Sequence, residues 1–120
     1  MSFHHHLREV CQGVEGAIAC SLMGVDGIEV ETHVAADAPQ LDLRSLLVEY
    51  SGILRSAREA AAEQKAGELC EVSINTDRLL AVARLVSADY FIVLALQPEA
   101  NYGKARYQLR IVAPKVRAEL

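Results

Sequence analysis

Apolar residues recur along this chain with two different spacings, which divide it into helices and strands. Residues 3–14 place apolar side chains at every third or fourth position, the spacing of one helix face. Two short apolar runs then follow, residues 17–25 and 28–34, separated by Asp26-Gly27. Because an Asp-Gly pair between two such runs favours a tight turn, the sequence predicts a helix followed by a β-hairpin.

The next periodic stretch, residues 43–65, predicts the longest helix of the chain. Its apolar residues fall within about 120° on a helical projection, which predicts a face that packs on a sheet. Residues 35–40 predict a loop before this helix, and Gly67 is placed to end it. The predicted inner face consists of Leu43, Leu46, Leu47, Tyr50, Ile53, Leu54, Ala57 and Ala61.

The remainder of the chain predicts three further strands and a final helix. The strands cover residues 68–75, 79–85 and 90–96, with connections short enough for hairpins, so we expect an antiparallel meander. The last strand is apolar throughout, which predicts a central position with both faces covered. Asn101 can cap the C-terminal helix, and Pro114 should kink that helix or end its regular part.

The element order αββαβββα and the composition indicate one α/β (α+β) domain over residues 1–120, with a sheet between layers of helices. The 120 residues are 52% hydrophobic, which suffices for one core. A formal net charge of -4 disfavours nucleic acid or an anionic membrane as a partner. No apolar run approaches the roughly 20 residues that span a bilayer, and no signal peptide is apparent. We therefore expect a cytoplasmic protein that does not insert into membranes.

Few groups in the sequence suggest catalysis or cofactor binding. His4, His5 and His6 suggest a metal site, but the side chains of consecutive helical residues point about 100° apart. An exposed polar patch or a cloning remnant is the simpler interpretation, and His33 could join these residues only if the first hairpin meets their turn. No hydrolase, metalloprotease or nucleotide-binding motif occurs. We therefore expect no enzyme activity, no cofactor and no metal site.

The three cysteines, Cys11, Cys20 and Cys70, are widely spaced and form no CxxC pair. This pattern disfavours both a disulfide framework and a four-ligand zinc site. Cys11 falls on the inner face of the first helix and Cys20 in an apolar strand, while Cys70 is expected to share a strand face with Val72 and Ile74. We predict that all three are small buried core residues rather than nucleophiles.

The strand over residues 68–75 opens the meander and is therefore expected at an edge of the sheet. It has no Pro and little charge, so its unpaired N–H and C=O groups would be exposed. Pairing with the same strand of a second copy across a twofold axis would satisfy them, and a covering loop from the long helix is the alternative. The predicted dimer interface consists of Leu69, Cys70, Glu71, Val72 and Ser73.

The outer face of the long helix carries a stripe of small residues. Ser45, Gly52 and Ser56 lie within about 40° of one another, opposite the predicted inner face. Glycine within a helix is about 1 kcal/mol less favourable than alanine, so Gly52 indicates close packing of another chain, with a merely solvated face as the alternative. The predicted partner-binding residues are Ser45, Val48, Glu49, Gly52, Arg55, Ser56 and Glu59.

Three local sequences add to the element order: Val25-Asp26-Gly27-Ile28, Ser51-Gly52 and Asn101-Tyr102-Gly103-Lys104-Ala105-Arg106. With these features the chain resembles the Roadblock/dynein light-chain family, and among its members the bacterial MglB-type regulators of Ras-like small GTPases. The resemblance spans nearly the whole chain. Tyr102 stands where Leu is common in the family, and Pro114 interrupts a helix that is usually smooth.

The resemblance implies a profilin-like Roadblock fold with a central five-stranded antiparallel sheet, the long helix on one face and the terminal helices on the other. Family members form homo- or heterodimers in which the third strands pair and the long helices lie side by side. Such dimers bind small GTPases or scaffold larger complexes. The resemblance to MglB-type members implies stimulation of GTP hydrolysis by repositioning groups of the GTPase itself, without an arginine finger.

The first hypothesis is therefore a homodimeric, non-catalytic regulator of a Ras-like small GTPase, either as a GTPase-activating protein or as a binding partner. A scaffold or adaptor subunit without that activity is the second hypothesis. A small-molecule sensory domain is the third, because profilin-like and PAS-like sheets share this general shape. The dense apolar pattern around residues 90–96 disfavours a sensor, since it offers no polar cluster for a ligand.

Overall fold

The computed structural model describes residues 3–35 and 42–120. Within these ranges the chain forms three helices and five strands in the predicted order. The helices are α1 (His4–Gly13), α2 (Leu43–Glu63) and α3 (Tyr102–Ala118), and the strands are β1 (Ala17–Gly24), β2 (Glu29–Val34), β3 (Glu71–Asn75), β4 (Leu80–Leu85) and β5 (Tyr90–Leu96). Most of the predicted loop at residues 35–40 lies outside the described residues. None of the described helices has the length and apolar character that crossing a lipid bilayer requires.

The five strands form one antiparallel sheet in the order β2-β1-β5-β4-β3. β5 lies in the centre, where Leu94 is opposite Cys20 of β1 and Val82 of β4. Every residue of β5 is buried except Tyr90, which is half-buried. The predicted meander and the predicted central position of its last strand are therefore confirmed.

Helices cover both faces of the sheet and create two separate packing layers. α1 and α3 pack on one face, where Leu7, Leu94 and Leu109 are fully buried. α2 packs on the opposite face, against Phe91 and Val93. Because successive residues of a strand point to opposite faces, a central strand covered on both sides must be apolar at every position. The result is the predicted three-layer sandwich.

The face of α2 that packs on the sheet differs from the prediction. Leu47 and Leu54 are buried as expected, but Ile53 is 46% exposed. Ser51 is buried instead, and its hydroxyl donates to the carbonyl of Val48 at 2.6 Å. Because that bond satisfies the hydroxyl within its own helix, a polar residue is tolerated on the inner face. The apolar pattern alone therefore placed the inner face slightly wrongly.

Close approach of the first hairpin explains why a small residue faces inward here. Gly27 in the β1–β2 turn has a φ of +95°, and a Cβ added to it would lie 3.3 Å from Ser51 Oγ. Both the left-handed backbone and the short distance favour glycine. Asp26 supports the same turn by accepting the amide N–H of Ile28 at 3.1 Å. The predicted Asp-Gly hairpin is thus confirmed.

α3 begins at the predicted cap but continues past its proline. Asn101 Oδ1 accepts the amide N–H of Lys104 at 3.0 Å, which confirms the cap. The helix then runs through Pro114 to Ala118, so the proline does not end it. Pro114 lies in the C-terminal part of the helix, where the missing N–H removes a single backbone hydrogen bond.

Candidate partner-binding surfaces

β3 lies at an edge of the sheet, as predicted. It pairs with β4 over five consecutive residues, from Glu71 opposite Arg84 to Asn75 opposite Leu80. No other described strand pairs with it. The ladder has no shift in register, so the outer side of β3 is a regular row of backbone groups.

Hydrogen bonds at the two ends of β3 indicate which backbone groups face outward. The N–H of Leu85 donates to the carbonyl of Cys70 at 3.0 Å, and the N–H of Thr76 donates to the carbonyl of Leu79 at 2.8 Å. Bonded and non-bonded pairs alternate along an antiparallel ladder, so every second residue from Cys70 to Thr76 bonds to β4. The N–H and C=O groups that point away from the sheet are those of Glu71, Ser73 and Asn75.

β2 forms the opposite edge and is less suited to pairing with another strand. Its register with β1 shifts at Val30, because Leu22 is opposite Glu31 while Met23 is opposite Glu29. Such a bulge, flanked by two glutamates, interrupts the row of backbone groups that a second strand would need. β3 is therefore the more open edge.

The observed start of β3 corrects the predicted strand bounds of residues 68–75. The strand begins at Glu71, so Leu69 and Cys70 precede it, while Val72 and Ser73 belong to it. Leu69 and Val72 both pack toward α2 although they are three positions apart, so strict alternation does not extend upstream of the strand. Cys70 consequently points to solvent and is exposed. Its predicted place in the core is wrong.

The other two cysteines lie in the core, as predicted. Cys11 and Cys20 are both buried. Burial raises the pKa of the Cys11 thiol to about 11 and raises that of Cys20 well above its ordinary value. Because the thiolate is the nucleophilic form, this direction disfavours both thiols as nucleophiles near neutral pH.

Glu71 joins the edge strand to α3, a contact that the apolar pattern did not indicate. Its Oε1 accepts from Arg84 Nη1 at 3.4 Å, and its Oε2 accepts from Arg106 Nε at 2.6 Å. Only 14% of the Glu71 side chain is exposed. The hydrogen bond to Glu71 and the charge of this carboxylate raise the pKa of Arg106. Arg106 is the last residue of the local sequence that begins at Asn101 and carries part of the family resemblance. That local sequence is the feature of the chain that could have indicated the contact.

The outer face of α2 forms a shallow depression on the surface. Gly52 is half-buried there, and the other six predicted partner-binding residues are exposed. A Cβ added to Gly52 would meet only Arg55 Nη2, at 3.6 Å, so no contact among the described residues requires glycine at this position. Ser45 and Val48 lie outside the depression. Its lining consists of Glu49, Gly52, Ile53, Arg55, Ser56 and Glu59.

Two of the predicted partner-binding residues also have contacts within the chain. Asp42 caps α2 by accepting from the backbone N–H of Ser45 at 3.2 Å and from its hydroxyl at 2.8 Å. These hydrogen bonds lower the pKa of Asp42. Arg55 donates from Nη1 to the carbonyl of Val25 in the first hairpin. Ser45 is thus a donor to the N-cap residue of α2, and Arg55 holds the hairpin against the helix.

His4 and His6 have different neighbours in the structure, and His33 meets His4. His4 Nε2 lies 3.2 Å from His33 Nδ1, and His4 Nδ1 lies 3.4 Å from Glu31 Oε2. Partial burial and the neighbouring His4 lower the pKa of His33. His6 instead contacts the C-terminal end of α3, and His5 lies beside it. An exposed patch is the wrong description for His6, whose side chain is only 12% exposed.

Three solved structures share this fold over nearly the whole chain. MglC from Myxococcus xanthus is 53% identical, with 100% of both chains covered and a TM-score of 0.74. The gliding protein MglB from Thermus thermophilus is 17% identical over 98% of this chain and 89% of that chain, with a TM-score of 0.86. A Roadblock/LC7 domain from Streptomyces avermitilis is 17% identical over 96% of this chain and 94% of that chain, with a TM-score of 0.84.

No protein-family model and no curated protein sequence matches the chain. The two similarities at 17% identity show the fold, and the full-length similarity to MglC shows kinship in sequence as well. The chain therefore belongs to the Roadblock family, close to the MglB-type proteins and with MglC as a relative over its full length.

Proposed function

We propose that this chain is a non-catalytic regulator of a Ras-like small GTPase and acts as a homodimer paired through β3. The observation that carries the proposal is the regular outer side of β3, where the backbone groups of Glu71, Ser73 and Asn75 point away from their own sheet. An edge of this kind is a ready template for another strand.

Apolar side chains beside the edge support pairing with a second copy. Leu69, Val72 and Ile74 pack toward α2 but are only half-buried. If the sheet continued past β3 into a partner subunit, the partner's α2 would come to lie beside these side chains and cover them. Each further Å² of apolar surface removed from water would contribute about 25 cal/mol.

A twofold axis at Ser73 gives the simplest pairing of the two edges. Ser73 is the middle residue of β3, and its backbone groups point outward. In an antiparallel pair about this axis, Ser73 exchanges two hydrogen bonds with Ser73 of the partner subunit, and Glu71 pairs with Asn75 of the partner subunit. The interface then contains the predicted residues Glu71, Val72 and Ser73. The two β3 edges pair with each other, so the sheets of the two subunits form one continuous sheet.

The GTPase as partner is proposed on the strength of the relatives. The chain is 53% identical to MglC, and it shares its fold with the gliding protein MglB. The depression on α2 offers a surface for such a partner, because exposed Ile53 lies there among the charged residues Glu49, Arg55 and Glu59. A mixture of apolar and charged groups is typical of non-obligate interfaces.

Any effect on GTP hydrolysis would be exerted through the catalytic groups of the GTPase. Arg55, on the proposed surface, donates to the carbonyl of Val25 and so already has a partner in its own hairpin. This contact favours a partner that repositions the GTPase over one that supplies Arg55 as a catalytic side chain.

A scaffold or adaptor role is the second candidate function. The exposed apolar residues Val48 and Ile53 lie on the outer side of α2. They could pack against a helix or sheet of another protein without any contact with a nucleotide site. The same surface would therefore serve either role. The two roles differ in whether binding of the GTPase changes the rate of GTP turnover.

Light scattering and a GTPase assay test both parts of the proposal. The protein should have twice the 13.1 kDa mass of one chain in solution. It should also bind a Ras-like GTPase from its own source and accelerate GTP turnover. Binding without faster GTP turnover would favour the scaffold role. If the protein binds no such GTPase, neither the regulator nor a scaffold for a GTPase is supported.

Matched variants test whether the partner binds at the outer face of α2. Ile53→Glu places a charge in the depression and should weaken GTPase binding. Ile111→Glu places the same charge on α3, at an isoleucine that is also exposed, and should leave binding unchanged. Equal loss in the two variants would place the GTPase elsewhere.

A further inference from the structure

The beginning of α1 and the end of α3 bring three metal-ligating side chains together. His5 and His6 lie in the first turn of α1, and Glu119 is the C-cap residue of α3. One ligand atom from each residue lies within 4.8 Å of the ligand atoms of the other two. His6 Nε2 contacts Glu119 Oε2 directly, across 113 positions of sequence. The cluster is thus a product of the fold rather than of the histidine run alone.

The donor set of this cluster suits a borderline divalent transition metal. Imidazole nitrogen binds Zn²⁺, Cu²⁺ and Ni²⁺ well, and a carboxylate oxygen is a common third ligand. Bonds of about 2.0–2.2 Å in a tetrahedral site place ligand atoms about 3.3 Å apart. His6 and Glu119 are already adjacent, so His5, which is exposed, is the side chain that has to turn inward.

Two further observations distinguish this cluster from an ordinary surface ion pair. The side chains of His6 and Glu119 are only 12% and 20% exposed, so the charge of an ion would be partly shielded from water. The rings of His5 and His6 lie side by side, with their centroids 3.9 Å apart. An ion pair between His6 and Glu119 involves two of these groups, and the ring of His5 lies beside them as a third potential ligand.

We propose that His5, His6 and Glu119 bind one divalent transition-metal ion of the zinc type, which fastens α1 to the end of α3. Water fills the fourth position of a tetrahedral site. The two helices cover the same face of the sheet, and a cross-link between them stabilises the folded chain.

His4 and His33 supply the control for this proposal. They meet each other at 3.2 Å, but on a different side of α1 from Glu119, next to Glu31. His33→Gln removes an imidazole from that pair and leaves the proposed ligands intact. Glu119→Gln removes the carboxylate, which a flexible run of histidines would not need in order to bind a metal.

Calorimetric titration of the EDTA-treated full-length protein with ZnCl₂ tests the site. We expect one ion per chain and a rise in the thermal midpoint with zinc. Glu119→Gln should weaken zinc binding at least tenfold, roughly the loss caused by removing groups that only support a metal ligand. Glu119→His should restore it, and His33→Gln should bind as the wild type does. The midpoint in EDTA shows that each variant is folded.

Two results would overturn the metal site. The first is equally tight zinc binding by the wild type and Glu119→Gln, because the histidine run would then bind the ion without α3. The second is an absence of zinc binding by the folded wild-type protein. Neither result bears on the dimer or on the GTPase, so the metal site can fail without affecting the proposed function.

Discussion

Glu71 Oε2 and Arg106 Nε lie 2.6 Å apart, so the residue that begins the edge strand β3 is fastened to α3 by an ion pair. Arg84 of β4 also reaches Glu71, at 3.4 Å. A strand at a sheet edge has neighbours on one side only, and contacts of its side chains therefore matter for its position. We infer that Arg106 keeps the β3 edge straight enough to receive a partner strand.

Arg106→Gln should therefore lower the thermal midpoint slightly and weaken the dimer more clearly. Light scattering over a range of protein concentrations would measure the second effect. In a double-mutant cycle, adding Arg106→Gln to Glu71→Gln should have little further effect, because Glu71→Gln has already removed the contact between the two side chains. Arg110→Gln, one turn further along α3 and also exposed, is the matched control. Full additivity of the two substitutions would contradict a shared role.

Ser73→Pro should weaken the dimer while leaving the chain folded. The N–H of Ser73 points away from β4, so proline removes no bond within the sheet and is tolerated at such an edge position. Across a twofold axis at Ser73, two hydrogen bonds are lost. At about 1 kcal/mol each, this weakens the dimer about 30-fold or more.

Ser73→Ala is the matched control for the proline variant, because it removes the side chain and keeps the N–H. It should leave the dissociation constant of the dimer nearly unchanged. Light scattering gives the dimer fraction, and circular dichroism shows whether the proline variant is folded. A folded Ser73→Pro protein that is as dimeric as the alanine variant would exclude pairing through β3.

Most of the fold could be predicted from the sequence because its elements are strongly patterned. The all-apolar run Tyr90–Leu96 predicts a strand covered on both faces, and it lies at the centre of the sheet. The errors occur where a contact between distant segments decides the outcome. Ser51 faces inward, where Gly27 of the first hairpin comes within reach of it. A helical projection of α2 holds no information about that hairpin.

Predictions about the candidate sites were limited by the same cause. The edge position of β3 follows from strand order, and it was predicted correctly. Cys70 was misplaced because the alternation of a strand was extended to a residue that precedes the strand. Glu119 lies far along the chain from His6, and no local pattern indicates that the two side chains meet. Pairwise contacts of this kind emerge only from the folded structure.

Gly52 should be replaceable in the isolated chain but not in the complex. A Cβ at this position meets only the far end of the Arg55 side chain, at 3.6 Å. Gly52→Ala should therefore stabilise the fold, by up to about 1 kcal/mol, through helix propensity. Gly52→Leu should fold as well but fill the depression and weaken binding of the GTPase. If Gly52→Leu leaves both the dimer and GTPase binding intact, the outer face of α2 is not a packing surface.

Gly27 and Gly67 form a natural pair for separating backbone strain from steric contact. Their φ angles are almost the same, +95° and +96°, in the left-handed region that alanine adopts at a penalty of about 1–2 kcal/mol. A Cβ on Gly67 would meet nothing within 4 Å, whereas a Cβ on Gly27 would lie 3.3 Å from Ser51 Oγ. Gly27→Ala should therefore lower the free energy of unfolding more than Gly67→Ala does.

Urea denaturation of both alanine variants measures this difference. Adding Ser51→Gly to Gly27→Ala should remove the excess, because it deletes the hydroxyl that the new Cβ meets. The effect of Ser51→Gly alone has to be subtracted, since glycine in α2 is itself about 1 kcal/mol unfavourable. Equal losses in Gly27→Ala and Gly67→Ala would mean that backbone conformation alone requires glycine in the first hairpin. The inward orientation of Ser51 would then need another cause.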